Sequence, residues 1–255
     1  MVRYEVSEGR ATITIDDPER RNPMSTEAMA GLLDRTREAM ADPDVRVIVY
    51  TGAGDRAFSA GGDLSGGFVD DPIGLHRSRG ALANLFREMA RGGKPTVARV
   101  NGHALAGGFG LAVACDFVIC VDEAKLGTPE IDVGLWPMMI SAVLLRAMPF
   151  KAVLDLMLTG RIIDPAEALR LGAVTRVVTR DELDTAVDEL VDTLAAKSPA
   201  VIELGRDSLY AVVDMGFDES LARLQAGLTA VSLTEDSREG VQAFLEKRDP
   251  SWSGR

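Results

Sequence analysis

Glycine crowds two stretches of this chain, one holding Gly52, Gly54, Gly61, Gly62, Gly66 and Gly67, the other Gly102, Gly107, Gly108 and Gly110. Both follow apolar segments of β character. Lacking a Cβ, glycine lets the backbone turn sharply or approach another group closely, so such density marks places where main chain is brought against something. The fold must therefore hold strands rigidly enough for their connecting loops to meet.

The periodicity around these loops supports that arrangement. From 3 to 16 the apolar residues Tyr4, Val6, Ala11, Ile13 and Ile15 alternate about Glu8-Gly9, as in a β-hairpin. Ser25 stands where it can cap a helix carrying Met29, Leu32, Leu33 and Thr36, ending near Asp42-Pro43. Buried strands are expected at 45–51, 96–100 and 117–121, with helices at 75–90 and 109–114 between them. This alternation predicts an α/β core with partly parallel sheet. Beyond Pro137 strand signal is confined to 174–178 and helical periodicity takes over. Segments 181–196, 217–231 and 235–247 read as helices, and Pro199 suits a first helical turn. The division expected is an α/β core over 1–196 and a helical region over 197–255.

Composition narrows the class of function. The 255 residues include 39 acidic against 28 basic side chains, a net charge of −11. A field of that sign repels phosphate backbones and argues against nucleic-acid binding, though local pairs such as Arg20-Arg21 can still hold a small anion. Cys115 and Cys120 lack metal or redox spacing and read as buried thiols. The first eight residues lack a signal-peptide core, and the longest uncharged run, 100–115, is short for a membrane span. A cytoplasmic protein without a membrane span is expected.

Two loops carry the chemistry. Ala57-Phe58-Ser59-Ala60-Gly61-Gly62-Asp63 and Asn101-Gly102-His103-Ala104-Leu105-Ala106-Gly107-Gly108-Phe109-Gly110 can meet at one end of a sheet. Unpaired amides from two such loops form the geometry of an oxyanion hole. The same glycines would equally serve tight turns and close packing, and spacing alone does not separate the two. Thr128-Pro129-Glu130 adds a carboxylate just after a proline. Taken by itself, Glu130 reads as a solvated or capping acid.

Together these residues resemble the enoyl-CoA hydratase/isomerase, or crotonase, superfamily nearly end to end. The landmarks are Asp17-Pro18 with Asn22, the 57–63 motif, Lys94-Pro95, Ala106-Gly107-Gly108, Cys115-Asp116 and Gly127-Thr128-Pro129-Glu130. Later come Leu158-Thr159-Gly160-Arg161, Glu167-Ala168, Gly172-Ala173-Val174 and Phe244-Leu245-Glu246-Lys247-Arg248. The resemblance implies a crotonase-like spiral of β-β-α units with a helical C-terminal trimerisation region, in a homotrimer or a hexamer built as a dimer of trimers. It implies an acyl-CoA thioester substrate, with coenzyme A entering as part of that substrate and no separate cofactor or metal. The amides of Ala60 and Gly107 are expected to bind the thioester oxygen and stabilise an enolate, and Glu130 is expected to be the acid/base.

One departure bears on the reaction. The position of the family's other catalytic glutamate is occupied by Gly110, which has no side chain to hold water or carry a proton. Proton relocation by a single base, as in the family's one-glutamate isomerases, is therefore favoured over hydration; hydration with a substitute acid, and acyl-CoA binding without turnover, are the alternatives. Trp136 and Met138, in the apolar run 134–140, are expected to narrow the acyl pocket, with Leu64 on the other wall, although the run also reads as an ordinary helix start. Arg20, the backbone from Ala57 through Phe58 to Ala60, and Lys247 are expected near coenzyme A by resemblance. Gly52-Ala53-Gly54-Asp55-Arg56-Ala57 has a dinucleotide-site shape, but no helix follows it.

Overall fold

The computed structural model describes residues 1–63 and 72–255. β1 (Val2–Ser7) and β2 (Arg10–Ile15) form the expected antiparallel hairpin. Its turn residues Glu8 and Gly9 have φ of +51° and +78°, the left-handed values that two-residue hairpin turns require. The chain then enters α1 (Thr26–Ala41), capped by Ser25, whose hydroxyl accepts the Ala28 amide at 3.2 Å. β3 (Val47–Gly52) follows, with all six residues buried.

From there the chain spirals, each turn giving one strand to a large sheet and a much shorter one to a small sheet. β3 is followed by β4 (Ala57–Ser59) and α2 (Pro72–Arg91). β5 (Thr96–Val100) is followed by β6 (His103–Leu105) and α3 (Gly107–Val113). β7 (Phe117–Val121) is followed by β8 (Leu126–Gly127). The large sheet has six strands in the order β1-β2-β3-β5-β7-β10, closed by β10 (Arg176–Val178). The small sheet has four, in the order β4-β6-β8-β9, where β9 is Ile162–Ile163. All pairings are parallel except β1 with β2 and β8 with β9. Strands covered on both faces are near-continuously apolar, which is why β3, β5 and β7 were legible as buried runs.

The remaining elements are helical: α4 (Met138–Ala147), α5 (Phe150–Thr159), α6 (Pro165–Leu171), α7 (Leu183–Ala195), α8 (Pro199–Val212), α9 (Phe217–Leu233) and α10 (Glu235–Glu246). A polar clasp joins α8 to the core. Asp116 accepts from Arg206 Nε at 2.9 Å, from Tyr210 Oη at 2.7 Å and from the Thr96 amide at 2.7 Å. Arg206 also donates to the carbonyls of Met89 and Ala90 at the end of α2. Cys115 and Cys120 are buried free thiols, and burial pushes both up, Cys120 to about 12. Among the described residues no helix is long and apolar enough to cross a membrane.

Candidate active site

Because β4 and β6 pair in parallel, the loops leaving their C-terminal ends emerge side by side. They touch at backbone distance. Gly61 has φ +86°, and a Cβ there would lie 2.6 Å from Ala106 Cβ and 3.1 Å from the Gly107 nitrogen, so only glycine fits. Its carbonyl accepts the Met24 amide at 2.7 Å.

The three amides of the first loop have different fates. Ala60 N–H donates to the Arg21 carbonyl at 2.9 Å, and Gly61 N–H to Ser59 Oγ at 3.2 Å. The amides of Gly62 and Gly107 have no partner among the described residues. They are neighbours: a Cβ placed on Gly107 would lie 3.9 Å from the Gly62 nitrogen. The expectation that Ala60 offers its amide to a ligand is thus corrected, since that hydrogen is already spent within the chain. Gly62 supplies the open amide on this loop, and Gly107 keeps the one expected of it.

Strain fixes the second loop. Ala106 has φ +51° and ψ −126°, a conformation that a side chain disfavours, and it caps α3. It is held there by its own N–H, which donates to the Gly127 carbonyl at 2.8 Å, and by its carbonyl, which accepts Gly110 N–H at 3.1 Å. Two buried asparagines brace the surroundings. Asn22 Nδ2 donates to the carbonyls of Ala53 and Ala57 at 2.9 and 2.8 Å, while Asn101 Nδ2 donates to those of Gly52 and Gly54 at 2.8 and 2.7 Å.

Glu130 arrives at the same end of the small sheet. β8 pairs in parallel with β6, and Glu130 lies three residues beyond β8 in the 3-10 turn Pro129–Val133. Its Oε2 is buried without a hydrogen-bond partner among the described residues, as is Thr128 Oγ1. Burial raises the carboxyl above its ordinary value, opposed only by a backbone hydrogen bond. The other titratable groups on these segments have contacts of their own. Asp63 pairs with Arg20 at 3.0 Å, Asp132 lies against Gly160, and His103 Nδ1 accepts the Lys125 amide at 3.1 Å. Burial and the Lys125 charge lower the His103 pKa.

The other expected contacts fall in several places. Arg20 is tied to Asp17 as well as Asp63, so its charge closes the loop rather than standing open. The side chains of Ala57 and Phe58 belong to the interior, leaving only backbone to meet a ligand. Lys247 is exposed at the C-terminal cap of α10. Leu64 lies outside the described residues. Trp136 and Met138 are 37% and 70% exposed, whereas Ile140, further along the same apolar run, is 3% exposed. Ile140 turns inward onto Gly110. Gly62 and Ile140 were not expected as site residues from sequence, although Gly62 lay within the motif and Ile140 within the apolar run 134–140; Asn22 was noted only as a landmark of the resemblance. A cleft of about 460 Å³ lined by Arg21, Arg56, His103, Glu123 and Arg180 opens at the opposite, entry end of β4 and β6.

The comparisons agree with this architecture. The family model described as enoyl-CoA hydratase/isomerase matches residues 5–255. A Thermus thermophilus protein named "Putative enoyl-CoA hydratase" is 39% identical over 245 residues, 94% of this chain and 96% of that protein. A carnitinyl-CoA dehydratase of Salmonella enteritidis is 34% identical over 248 residues, covering 95% of this chain and 94% of its own. The crystal structure of an enoyl-CoA hydratase from Mycobacterium smegmatis superimposes with a TM-score of 0.94 at 28% identity, over 98% of both chains. A family match across nearly the whole length, in a fold that turns strand, short strand and helix in the same spiral, places this chain in the enoyl-CoA hydratase/isomerase, or crotonase, family.

Proposed function

We propose that this enzyme binds an acyl-CoA thioester with its carbonyl oxygen between the amides of Gly62 and Gly107, and that Glu130 is its single acid/base. The observation that carries this reading is the buried, unpartnered Oε2 of Glu130, at the same sheet end as two unpartnered amides. A buried carboxylate oxygen without a partner is costly, and a proton-transfer role gives it a reason to persist.

In this chemistry Glu130 removes a proton from the carbon beside the thioester carbonyl. The C–H electron pair becomes the enolate double bond and the negative charge moves to oxygen, where two fixed amides meet it. Losing one such donor typically costs about a hundred- to a thousand-fold in rate. The raised pKa of Glu130 suits it to give a proton back, either at once or after its acid has exchanged with solvent, and delivery to the γ-carbon of an unsaturated acyl chain completes a double-bond shift. No water is consumed. Hydration or dehydration is the second reading, favoured by the activities named for the relatives. It needs a further group to hold water, and Gly110 offers none.

The assembly follows the family in this reading, as a homotrimer or dimer of trimers, with Lys247 placed to reach coenzyme A on its own or a neighbouring subunit. Exposed Phe217, Leu228 and Phe244 on α9 and α10 support burial of those helices against other copies.

The test is hydrogen–deuterium exchange at C2 of a saturated acyl-CoA in D2O, followed by mass spectrometry. Wild type should exchange, Glu130→Gln should be slower by at least about a hundred-fold, and both should bind the thioester. Tight binding with no exchange in either protein would mean a binder without turnover.

A further inference from the structure

Gly110 stands one turn along α3 from Gly107, so the two share a face of that helix, about 4.5 Å apart along its axis. The space beside Gly110 is therefore the wall of the site just past the Gly107 amide. It is filled. A Cβ at position 110 would lie 2.1 Å from Ile140 Cγ2 and 2.5 Å from Ile140 Cβ, with Ile140 Cα at 3.5 Å. These atoms are the β-branched root of a stiff side chain on α4, so they cannot swing aside as a flexible tip would. The missing side chain leaves no vacancy, because α4 has closed over it with hydrocarbon.

We propose that Ile140 determines which reaction this enzyme performs: it takes the volume that a second acid/base at position 110 would need, and presents methyl groups where a water molecule would have to be held. Adding water to a 2-enoyl thioester forms a C3–O bond and delivers a proton to C2, so a water must be held and deprotonated beside C3. An apolar wall offers that water no hydrogen bond. Moving a proton between C2 and C4 needs only one carboxylate and a dry pocket. The substrate class is accordingly an unsaturated acyl thioester with hydrocarbon, not hydroxyl, at the carbons next to the reacting ones. The buried, unpartnered Oε2 of Glu130 is consistent with a dry site. This proposal rests on the assignment of Glu130 above, and its test separates the two.

Full-length wild type, Ile140→Ala and the double variant Ile140→Ala/Gly110→Glu are incubated with 2-enoyl-CoA and 3-enoyl-CoA in H2(18)O. The share of product carrying 18O is compared with C2 deuterium exchange in parallel samples. Ile140→Ala should raise the ratio of hydrated to exchanged product roughly tenfold, a barrier difference of about 1.4 kcal/mol, and the double variant should raise it further. Exchange persisting with an unchanged ratio in both variants overturns the role of Ile140 while leaving Glu130 in place. Absence in the wild type of both exchange and any double-bond shift overturns the assignment of Glu130 itself. A second measurement does not depend on activity. Gly110→Ala should lower Tm by several degrees in the wild type and much less in an Ile140→Ala background, since the two side chains compete for one space. An equal effect in both backgrounds would also overturn the proposal, and Ile140→Val serves where alanine unfolds.

Discussion

At the scale of single residues, the partly buried Glu130 carboxyl makes stability depend on pH. Burial raises its pKa, so the folded chain holds that proton more tightly than the unfolded chain does. The stability associated with the neutral carboxyl is complete below the unfolded value, near 4.3, and is lost as pH rises through the raised folded value. Glu130→Gln should therefore be more stable than wild type at pH 7 to 8, with the difference shrinking below about pH 4. Thermal unfolding at the two pH values checks this, and an identical gap at both would mean that the carboxyl is well solvated. Turnover should show the complementary limb, falling on acidification with a midpoint above the ordinary carboxylate range. Glu130 was singled out in the sequence only with its family context, because an isolated Pro-Glu pair carries no information about burial. The open amide was legible to within two residues. Choosing Gly62 over Ala60 depends on the Arg21 carbonyl, some 40 residues away along the chain by their numbering, which local pattern cannot reveal.

At the scale of elements, the site depends on strands too short to read. β3, β5 and β7 are five or six residues long and mostly apolar, and their positions follow from sequence. β4, β6 and β8 have three, three and two residues, too few to establish an alternation that is read over about four or more. They exist because longer neighbours and polar brackets hold them. Asn101 is the clearest bracket. In the sequence it stood only at the head of the second glycine-bearing loop, yet its side chain serves the carbonyls of Gly52 and Gly54 and accepts the Gly52 amide at 3.2 Å, locking the loop after β3 to the end of β5. Asn101→Ala leaves those buried groups unpaired, at a cost of about 1–3 kcal/mol or more. Denaturant unfolding should register that loss with an unchanged m-value. Activity should fall further than stability alone explains, because β4 and β6 carry the two open amides. A loss of stability without any change in turnover by the folded fraction would uncouple Asn101 from the site.

At the scale of the whole molecule, the C-terminal helices face two ways. Inward, α8 is fastened by the largely buried Asp116–Arg206 pair and the Tyr210 hydroxyl, a network with its carboxylate saturated by donors. Outward, α9 carries Leu221, Leu224 and Leu228 at helical spacing, and α10 presents Phe244, which is 82% exposed. Amphipathic helices of this kind were legible from periodicity, but the sequence pattern does not distinguish a stripe that packs on the same chain from one left for another copy. Only the occupied inner face makes the outer one stand out. A net charge of −11 opposes self-association at low salt, so apolar contact must supply the driving force and added salt should strengthen it. Sedimentation of wild type should give a mass of three or six chains. Leu228→Glu places a charge in the stripe at a residue already 68% exposed in the single chain, so it should leave the monomer's fold intact while shifting the assembly toward smaller species. If coenzyme A bridges subunits through Lys247, affinity for the thioester should fall as the assembly dissociates. An unchanged mass for Leu228→Glu would place the interface elsewhere on the molecule, and dissociation with undiminished affinity would leave each subunit with a complete site of its own.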